Sequence, residues 1–227
     1  MTISIHQPNY LPWLGFFDKI KQSDKFVIFD NVQYPRGKNH FGNRNKIKIH
    51  NNSKWLTVPV AGKSQKLNIN EIGFKNSDWR NEHLRLIEIF YKDAPFFKEY
   101  FHSINDILLY DFKTLSSLNI HLINYFLKVL DIETEVILSS SLVSNEVSGA
   151  DRIITILEKL KATKYITGSG PGSIRYINEE DFKSRNIELI WQHYKHPVYK
   201  QLHGDFIPYM NILDLLFNEG PNSINII

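Results

Sequence analysis

The sequence predicts an α/β fold: a mostly parallel sheet flanked by helices, with a β-hairpin insertion and a helical subdomain. Three observations lead there. Short apolar or β-branched runs recur at Thr2–His6, Lys25–Phe29, Glu135–Leu138, Lys164–Thr167 and Ile187–Trp191, and helical stripes lie among them. KIKIH at Lys46–His50 and KWLTVPV at Lys54–Val60 flank the turn residues Asn51-Asn52-Ser53, which is a hairpin pattern. Three helical stripes then follow one another over residues 77–130. Strands alternating with helices at both ends of the chain argue for parallel pairing.

Each element has its own local reason. Thr2, Ile3 and Ile5 favour a first strand, and Pro8 and Pro12 force Gln7–Trp13 into a loop. Phe16, Phe17 and Ile20 give Gly15–Gln22 helical spacing. KFVIF suits a buried strand with Asp30 at its carboxyl end, and a turn-rich basic loop follows. The hairpin comes next, with a further strand expected over Leu67–Phe74. Ser77 or Asp78 starts a helix to Tyr91, which Asp93-Ala94-Pro95 ends. Helices over Phe97–Tyr110 and Phe112–Leu130 complete the helical block. Asp151–Lys161 is an amphipathic helix, Gly168–Gly172 a glycine-rich turn, and residues 178–185 a short helix. The last helix runs near Asn211–Phe217 and is closed by Gly220-Pro221.

The 227 residues are 42% hydrophobic and 13% aromatic, which excludes disorder and suits a single domain over 1–227 with a helical subdomain at 77–130. There are 27 Lys+Arg against 24 Asp+Glu, a formal +3 that excludes a nucleic-acid-dedicated chain by bulk charge. That balance hides an asymmetry. Asn31–Asn70 carries eight cations (Arg36, Lys38, Arg44, Lys46, Lys48, Lys54, Lys63, Lys66) and no Asp or Glu, which leaves 19 basic against 24 acidic residues elsewhere. The absence of cysteine excludes disulfides, thiolate metal sites and a cysteine nucleophile. No leader-like start and no apolar run near 20 residues are present, so a cytoplasmic chain with no membrane span is expected.

Four places could carry chemistry. In HQPNYLPW, His6 ends a strand and can act as a general base, Gln7 and Asn9 offer amide hydrogen bonds, and Tyr10 and Trp13 offer flat walls for a base or sugar ring. The basic loop sets Arg36 and Arg44 among Gln33, Tyr34 and Asn43, which suits a diphosphate. In TGSGPGSIRYI, the glycines let backbone N–H groups approach an anion, while Ser169, Gly170, Ser173 and Arg175 can contribute contacts. It is not a Walker A sequence, and a tight strand-to-helix turn is the plain alternative. In HYKHPVYKQLHGDF, the histidine spacings match no recognised ligand motif; no metal is assigned, and Tyr199 and Gln201 are read as substrate contacts. Trp79 and His83 share a helix face and either border the pocket or pack.

Two resemblances add to this reading. His6…Gly15-Phe16 and Ser173-Ile174-Arg175 echo the layout of HxGH-type nucleotidyltransferases, but Phe16 stands where the second histidine belongs. IHQPNYLPWLGFFDKI, FDNVQYPRGKNHFGNRNKI, WLTVPV, YITGSG and FIPYMNILDLLFNEG together resemble the WbqC-like protein family, from Ile3 to Gly220. A departure is Asn211, where a serine is usual in that family. The resemblance implies work on bacterial O-antigen or other surface polysaccharides. It points to acyl or aminoacyl transfer to the amine of a nucleotide-linked amino sugar, dTDP- or UDP-linked.

On that implication His6, oriented by Asp30, is the base. No cofactor is identified beyond an activated acyl donor, a thioester or acyl adenylate, and the reading leaves room for a donor carrier and an oligomer. The alternatives are a non-catalytic sugar-nucleotide-binding protein of the same pathway, a nucleotidyltransferase-like protein, or a nucleic-acid module. The last of these suits the interleaved Tyr34, Phe41 and Trp55, although the net-acidic remainder of the chain favours a small anion over nucleic acid.

Overall fold

A computed structural model describes every residue except 36, 38, 39, 63, 64, 148, 175 and 176, and the side chains of 171 and 172. Arg36 and Arg175, both singled out above, therefore lie outside the described residues. The chain divides into two compact units. The first comprises Met1–Gln7, Asp18–Val32 and Ile132–Lys195; the second comprises Pro8–Phe17, Gln33–Asp131 and His196–Ile227.

The first unit holds the parallel sheet. Its strands are β1 (Thr2–His6), β2 (Lys25–Ile28), β5 (Glu135–Leu138), β6 (Lys164–Gly168) and β7 (Glu188–Gln192). Their order across the sheet is β5-β2-β1-β6-β7, with every pair parallel. In order of appearance that is 3-2-1-4-5, the first five positions of the doubly wound order 3-2-1-4-5-6. Side chains alternate across the sheet. Ile3, Ile5, Val27 and Tyr165 form one core with Ile154, Ile156 and Leu157 of α5 (Gly149–Lys159) and Phe182 of α7 (Glu179–Lys183). Ser4 points to the opposite face, where its Oγ meets Ser23 Oγ at 2.7 Å, just past α1 (Leu14–Lys21). Arg152 of α5 is buried and donates to the carbonyls of Val147 (2.6 Å), Asn145 (3.1 Å) and Asn31.

The second unit holds the hairpin, β3 (Arg44–Ile49) with β4 (Asn52–Thr57), and the helices α2 (Trp79–Tyr91), α3 (Phe97–Leu109), α4 (Leu115–Val129), α8 (Ile212–Glu219) and α9 (Ser223–Ile226). The hairpin turns at His50-Asn51, earlier than the sequence pattern suggests. His50 takes φ +41°, as two-residue hairpin turns require, and its ring packs on Phe90 and His203. β4 ends at Thr57; the Val58 N–H still reaches the Asn43 carbonyl at 2.8 Å, and Pro59 has no N–H to extend the ladder.

The strand expected over Leu67–Phe74 is not formed. Ile69–Glu71 is instead a 3₁₀ turn, because Asn68 and Glu71 make a capping box in which the Asn68 N–H donates to Glu71 Oε2 at 2.8 Å. Among the described residues, that segment pairs only through single bridges at Gln33–Asn68 and Val60–Phe74. α4 likewise begins at Leu115, capped by Thr114, and not at Phe112. Between β6 and α7, residues Pro171–Ile174 form a single helical turn, α6. Among the described residues, no helix is long and apolar enough to cross a membrane.

A buried carboxylate organises the second unit. Asp214 of α8 has no solvent access and accepts from Tyr91 Oη (2.8 Å), Tyr199 Oη (2.7 Å) and Gln201 Nε2 (2.7 Å). Tyr91 Oη in turn accepts the Lys48 N–H at 2.9 Å, and the buried Lys48 ammonium donates to the Asp205 carbonyl at 2.6 Å. Helices α2 and α8, strand β3 and the 199–207 segment thus share one polar knot. Asp214→Ala should cost about 3–5 kcal/mol in urea unfolding, because it strands buried donors. Asp214→Asn should cost less but still over ~1 kcal/mol, since one amide NH₂ faces groups that need an acceptor. An unchanged unfolding midpoint in Asp214→Ala would show the knot to be idle.

Candidate functional site

The order of the sheet creates one reversal of winding, between β1 and β6, and ligands of open α/β sheets bind at the carboxyl ends beside such a reversal. Thr2 pairs with Lys164 and Ser4 with Ile166, so the same offset sets His6 level with Gly168. His6 therefore stands at the carboxyl end on one side of the reversal and the glycine loop on the other. His6 Nδ1 lies 2.9 Å from the Gln7 carbonyl. A carbonyl only accepts, so Nδ1 carries the hydrogen and the neutral ring keeps its lone pair on Nε2. Burial, helped by the nearby Lys19 charge, pulls the His6 pKa down to about 3.

Lys19 completes this edge. From the Ser4–Ser23 contact, four residues back along the helix climb about 6 Å, and two residues forward along β1 climb about 6.6 Å. Both routes end at the same height, with Lys19 beside His6. Lys19 is 2% exposed, belongs to no ion pair among the described residues, and is lowered by burial to about 7. Next to it, Asp18 Oδ2 accepts from Gln192 Nε2 at 2.6 Å and from Gln22 Nε2 at 2.8 Å. Ser169 Oγ donates to the Gln192 carbonyl at 3.2 Å. Burial and the Asp18 carboxylate hold the Tyr194 phenol well above its usual range. The ends of β1, β6 and β7 and the second half of α1 thus converge on one polar edge.

The glycine loop is not forced by its backbone. Neither Gly168 nor Gly170 has a positive φ; a Cβ on Gly168 would make ordinary contact with Ser173 Oγ at 3.5 Å, and one on Gly170 would meet nothing within 4 Å. What the glycines leave is open space in front of the main chain. Pro171 brings no N–H, and the Ser173 and Ile174 N–H groups turn back to the Gly170 carbonyl. Gly15, by contrast, is compelled: a Cβ there would lie 2.3 Å from the Trp13 ring.

Asp30 is buried, and its described hydrogen bonds run to Ser139 Oγ and the Ser140 N–H, each at 2.9 Å from Oδ1. They tie the end of β2 to the turn after β5.

The other residues picked from sequence belong to the second unit. Asn9, Tyr10, Tyr34, Asn43 and Tyr199 are buried. Tyr10 Oη lies 2.9 Å from His83 Nδ1, and Trp79 packs edge-on against both rings. Asn43 Nδ2 donates to the Val58 carbonyl at 2.8 Å, and Asn45 Nδ2 to Leu11 O at 2.6 Å. Tyr199 and Gln201 serve Asp214, while Trp13 is half-buried beside Tyr209 and Gln33 is exposed. Arg44 lies over Trp55, its guanidinium carbon 4.1 Å from the ring centre.

Asp18, Lys19, Gln192 and Tyr194 were not singled out from sequence. A signal existed for Lys19: Phe16, Lys19, Ile20 and Ser23 follow i, i+3, i+4, i+7 spacing, which puts a lysine on the buried stripe. Asp18, Gln192 and Tyr194 meet only through the parallel sheet. Among the described residues no cluster of three or more His, Asp or Glu could hold a metal ion.

The Lys19 environment makes a pH prediction. Its folded pKa lies below the unfolded one, so between about pH 7 and 10 the unfolded chain binds the extra proton and stability rises with pH. Lys19→Met should flatten that rise and stabilise the protein at pH 7 by on the order of 3 kcal/mol. Parallel stability–pH curves for the two proteins would refute the assignment.

Known proteins agree with this layout in extent but name no activity. No solved structure matches the chain. A protein of Mycobacterium tuberculosis described as "Uncharacterized protein Rv1507c" is 37% identical over 222 residues, covering 96% of this chain and 94% of its own length. The profile of the WbqC-like protein family matches residues 7–226, which include Lys19, the glycine loop, the hairpin and the Asp214 knot but not His6. The chain belongs to the WbqC-like protein family.

Proposed function

We propose that the protein is a transferase that moves an acyl or aminoacyl group onto the amine of a nucleotide-linked amino sugar, in bacterial surface-polysaccharide synthesis. The observation that carries this reading is the β1–β6 reversal, with the His6 imidazole on one side and an open glycine loop on the other. The sugar nucleotide, dTDP- or UDP-linked, binds at that edge. Its amine attacks the carbonyl carbon of a thioester or acyl adenylate. The C–N bond forms, the C–S or C–O bond breaks, and the leaving group departs as thiol or adenylate. The amine proton goes to the His6 Nε2 lone pair; Lys19, near neutrality, is the stronger base alongside. Main-chain N–H groups at Ser169 and Gly170 face the developing oxyanion. No enzyme nucleophile is needed, in keeping with a chain without cysteine.

A second reading, non-catalytic binding of the same ligand, is favoured by one observation: an imidazole lowered to about 3 is a weak base. His6→Ala separates the two. Under the transferase reading, turnover with an acyl donor falls about 10²-fold while sugar-nucleotide affinity holds. Under the binding reading no turnover exists to lose. A thermal-shift panel of dTDP- and UDP-linked amino sugars tests the ligand itself, with about 2.7 kcal/mol of stabilisation expected at a hundredfold excess over Kd. No shift with any of them would remove the substrate.

A further inference from the structure

One face of the hairpin holds a group of side chains that the reaction above does not use. Along β3, Asn45 and Ile47 are buried on one side, while Arg44 and Lys46 lie half-buried on the other, where Lys48 further along is drawn into the Asp214 knot. Lys46 pairs with Trp55 and Arg44 with Thr57 across the ladder, so both cations and the indole share a face. Arg44 lies 4.1 Å and the Lys46 ammonium 5.1 Å from the Trp55 ring centre. Phe41 continues the row, its ring 6.0 Å from Trp55 and tilted by 36°. Large apolar rings do not usually stay in water, yet Trp55 is 37% and Phe41 42% exposed.

A second observation points to a ligand with acceptor oxygens. Tyr34 is 4% exposed, and its hydroxyl has no hydrogen-bond partner among the described residues. Arg44 is close enough to pull the Tyr34 phenol down against the upward push of burial. A buried hydroxyl left without an acceptor costs about 1–3 kcal/mol, which a bound oxyanion would recover. No Asp or Glu occurs between Asn31 and Asn70 to supply that acceptor from the same segment.

The platform is stiff. Asn45 is tied to the Leu11 carbonyl, and Asn211 donates from both its N–H (3.1 Å) and its Nδ2 (2.6 Å) to the Lys46 carbonyl while its Oδ1 caps α8 at the Leu213 N–H (2.8 Å). A serine at 211 would keep the main-chain bond but would have to serve both the Lys46 carbonyl and the Leu213 N–H from one shorter-armed hydroxyl oxygen.

We propose that the Arg44–Lys46–Trp55–Phe41 face, flanked by the Tyr34 hydroxyl, binds a nucleoside phosphate. The base stacks on the Trp55–Phe41 row and the Arg44 plane, and the phosphates meet Arg44, Lys46 and Tyr34. Aromatic rings alone would suit any flat apolar molecule, and cations alone any anion. Their interleaving on one face selects a ligand that is both. This inference does not rest on the transfer reaction.

The test uses the full chain with its four tryptophans labelled as 5-fluorotryptophan, and Trp55→Phe to assign the Trp55 resonance. UDP should move the Trp55 resonance saturably. Arg44→Gln should weaken that titration about 5- to 150-fold, the range for losing one stacked base contact. Tyr34→Phe, which keeps the ring and removes the unpartnered hydroxyl, should weaken it severalfold while raising the melting temperature of the free protein, and pyrophosphate or uridine alone should bind more weakly than UDP. His6→Ala should leave the titration intact, so failure of the transferase reading and failure of this site are told apart. The proposal is overturned if UDP at millimolar concentration leaves the Trp55 resonance in place, if Arg44→Gln binds as the parent does, or if pyrophosphate binds as well as UDP. An oligouridylate that binds more tightly per nucleotide than UDP overturns it in favour of single-stranded nucleic acid.

Discussion

β1 lies at the centre of its sheet with β2 on one side and β6 on the other, and the polar edge of the first unit depends on that placement. A strand paired on both edges cannot shift register without breaking two ladders, so the height of His6 is determined by eleven residues of chain on three strands and not by its own loop. The winding reverses beside it, so no crossover connection covers the carboxyl ends of β1 and β6. The polar residues of α1 and of the β7 end reach that uncovered edge because they have nowhere else to be solvated. Lys19 is the exception in kind. It faces the sheet, and its burial makes folding harder at neutral pH while leaving an amine that is half ready to take a proton.

The second unit meets a different constraint. Its buried carboxylate, Asp214, needs several donors at once, and the donors come from segments more than a hundred residues apart. Satisfying it draws Tyr91, Tyr199 and Gln201 inward and brings the backbone of β3 with them through Lys48. Residues that look like ligand contacts in the sequence, Tyr199 and Gln201 among them, are engaged in this knot. Tyr10 and Asn43 are engaged in others. The outward face of β3 is what remains, and there the cations and the indole gather.

Several features were legible in the chain because they are local. The strand β1, the proline-bounded loop after it, the helical stripes of α2 to α4 and the hairpin all follow from periodicity and turn residues within a window of a dozen positions. The errors were local too. The strand expected over Leu67–Phe74 gives way to the capping box at Asn68–Glu71, where N-x-x-E announces a helical turn. The hairpin turn falls at His50-Asn51, ahead of the Asn51-Asn52-Ser53 expected, with His50 in the left-handed region and its ring against Phe90 and His203.

The sequence by itself determined the α/β class, the order of elements, the segregation of positive charge into Asn31–Asn70, and the family. Each is a property of composition or of short-range pattern. Only the tertiary structure decided which polar residues meet one another. Tyr10, Asn43 and Tyr199 share a residue type with ligand contacts but are buried with partners, whereas Asp18, Lys19 and Gln192 converge from positions up to 174 residues apart. The reason is physical: burial and convergence depend on which strands pair and which carboxylate must be satisfied, and neither is written in any single stretch of chain.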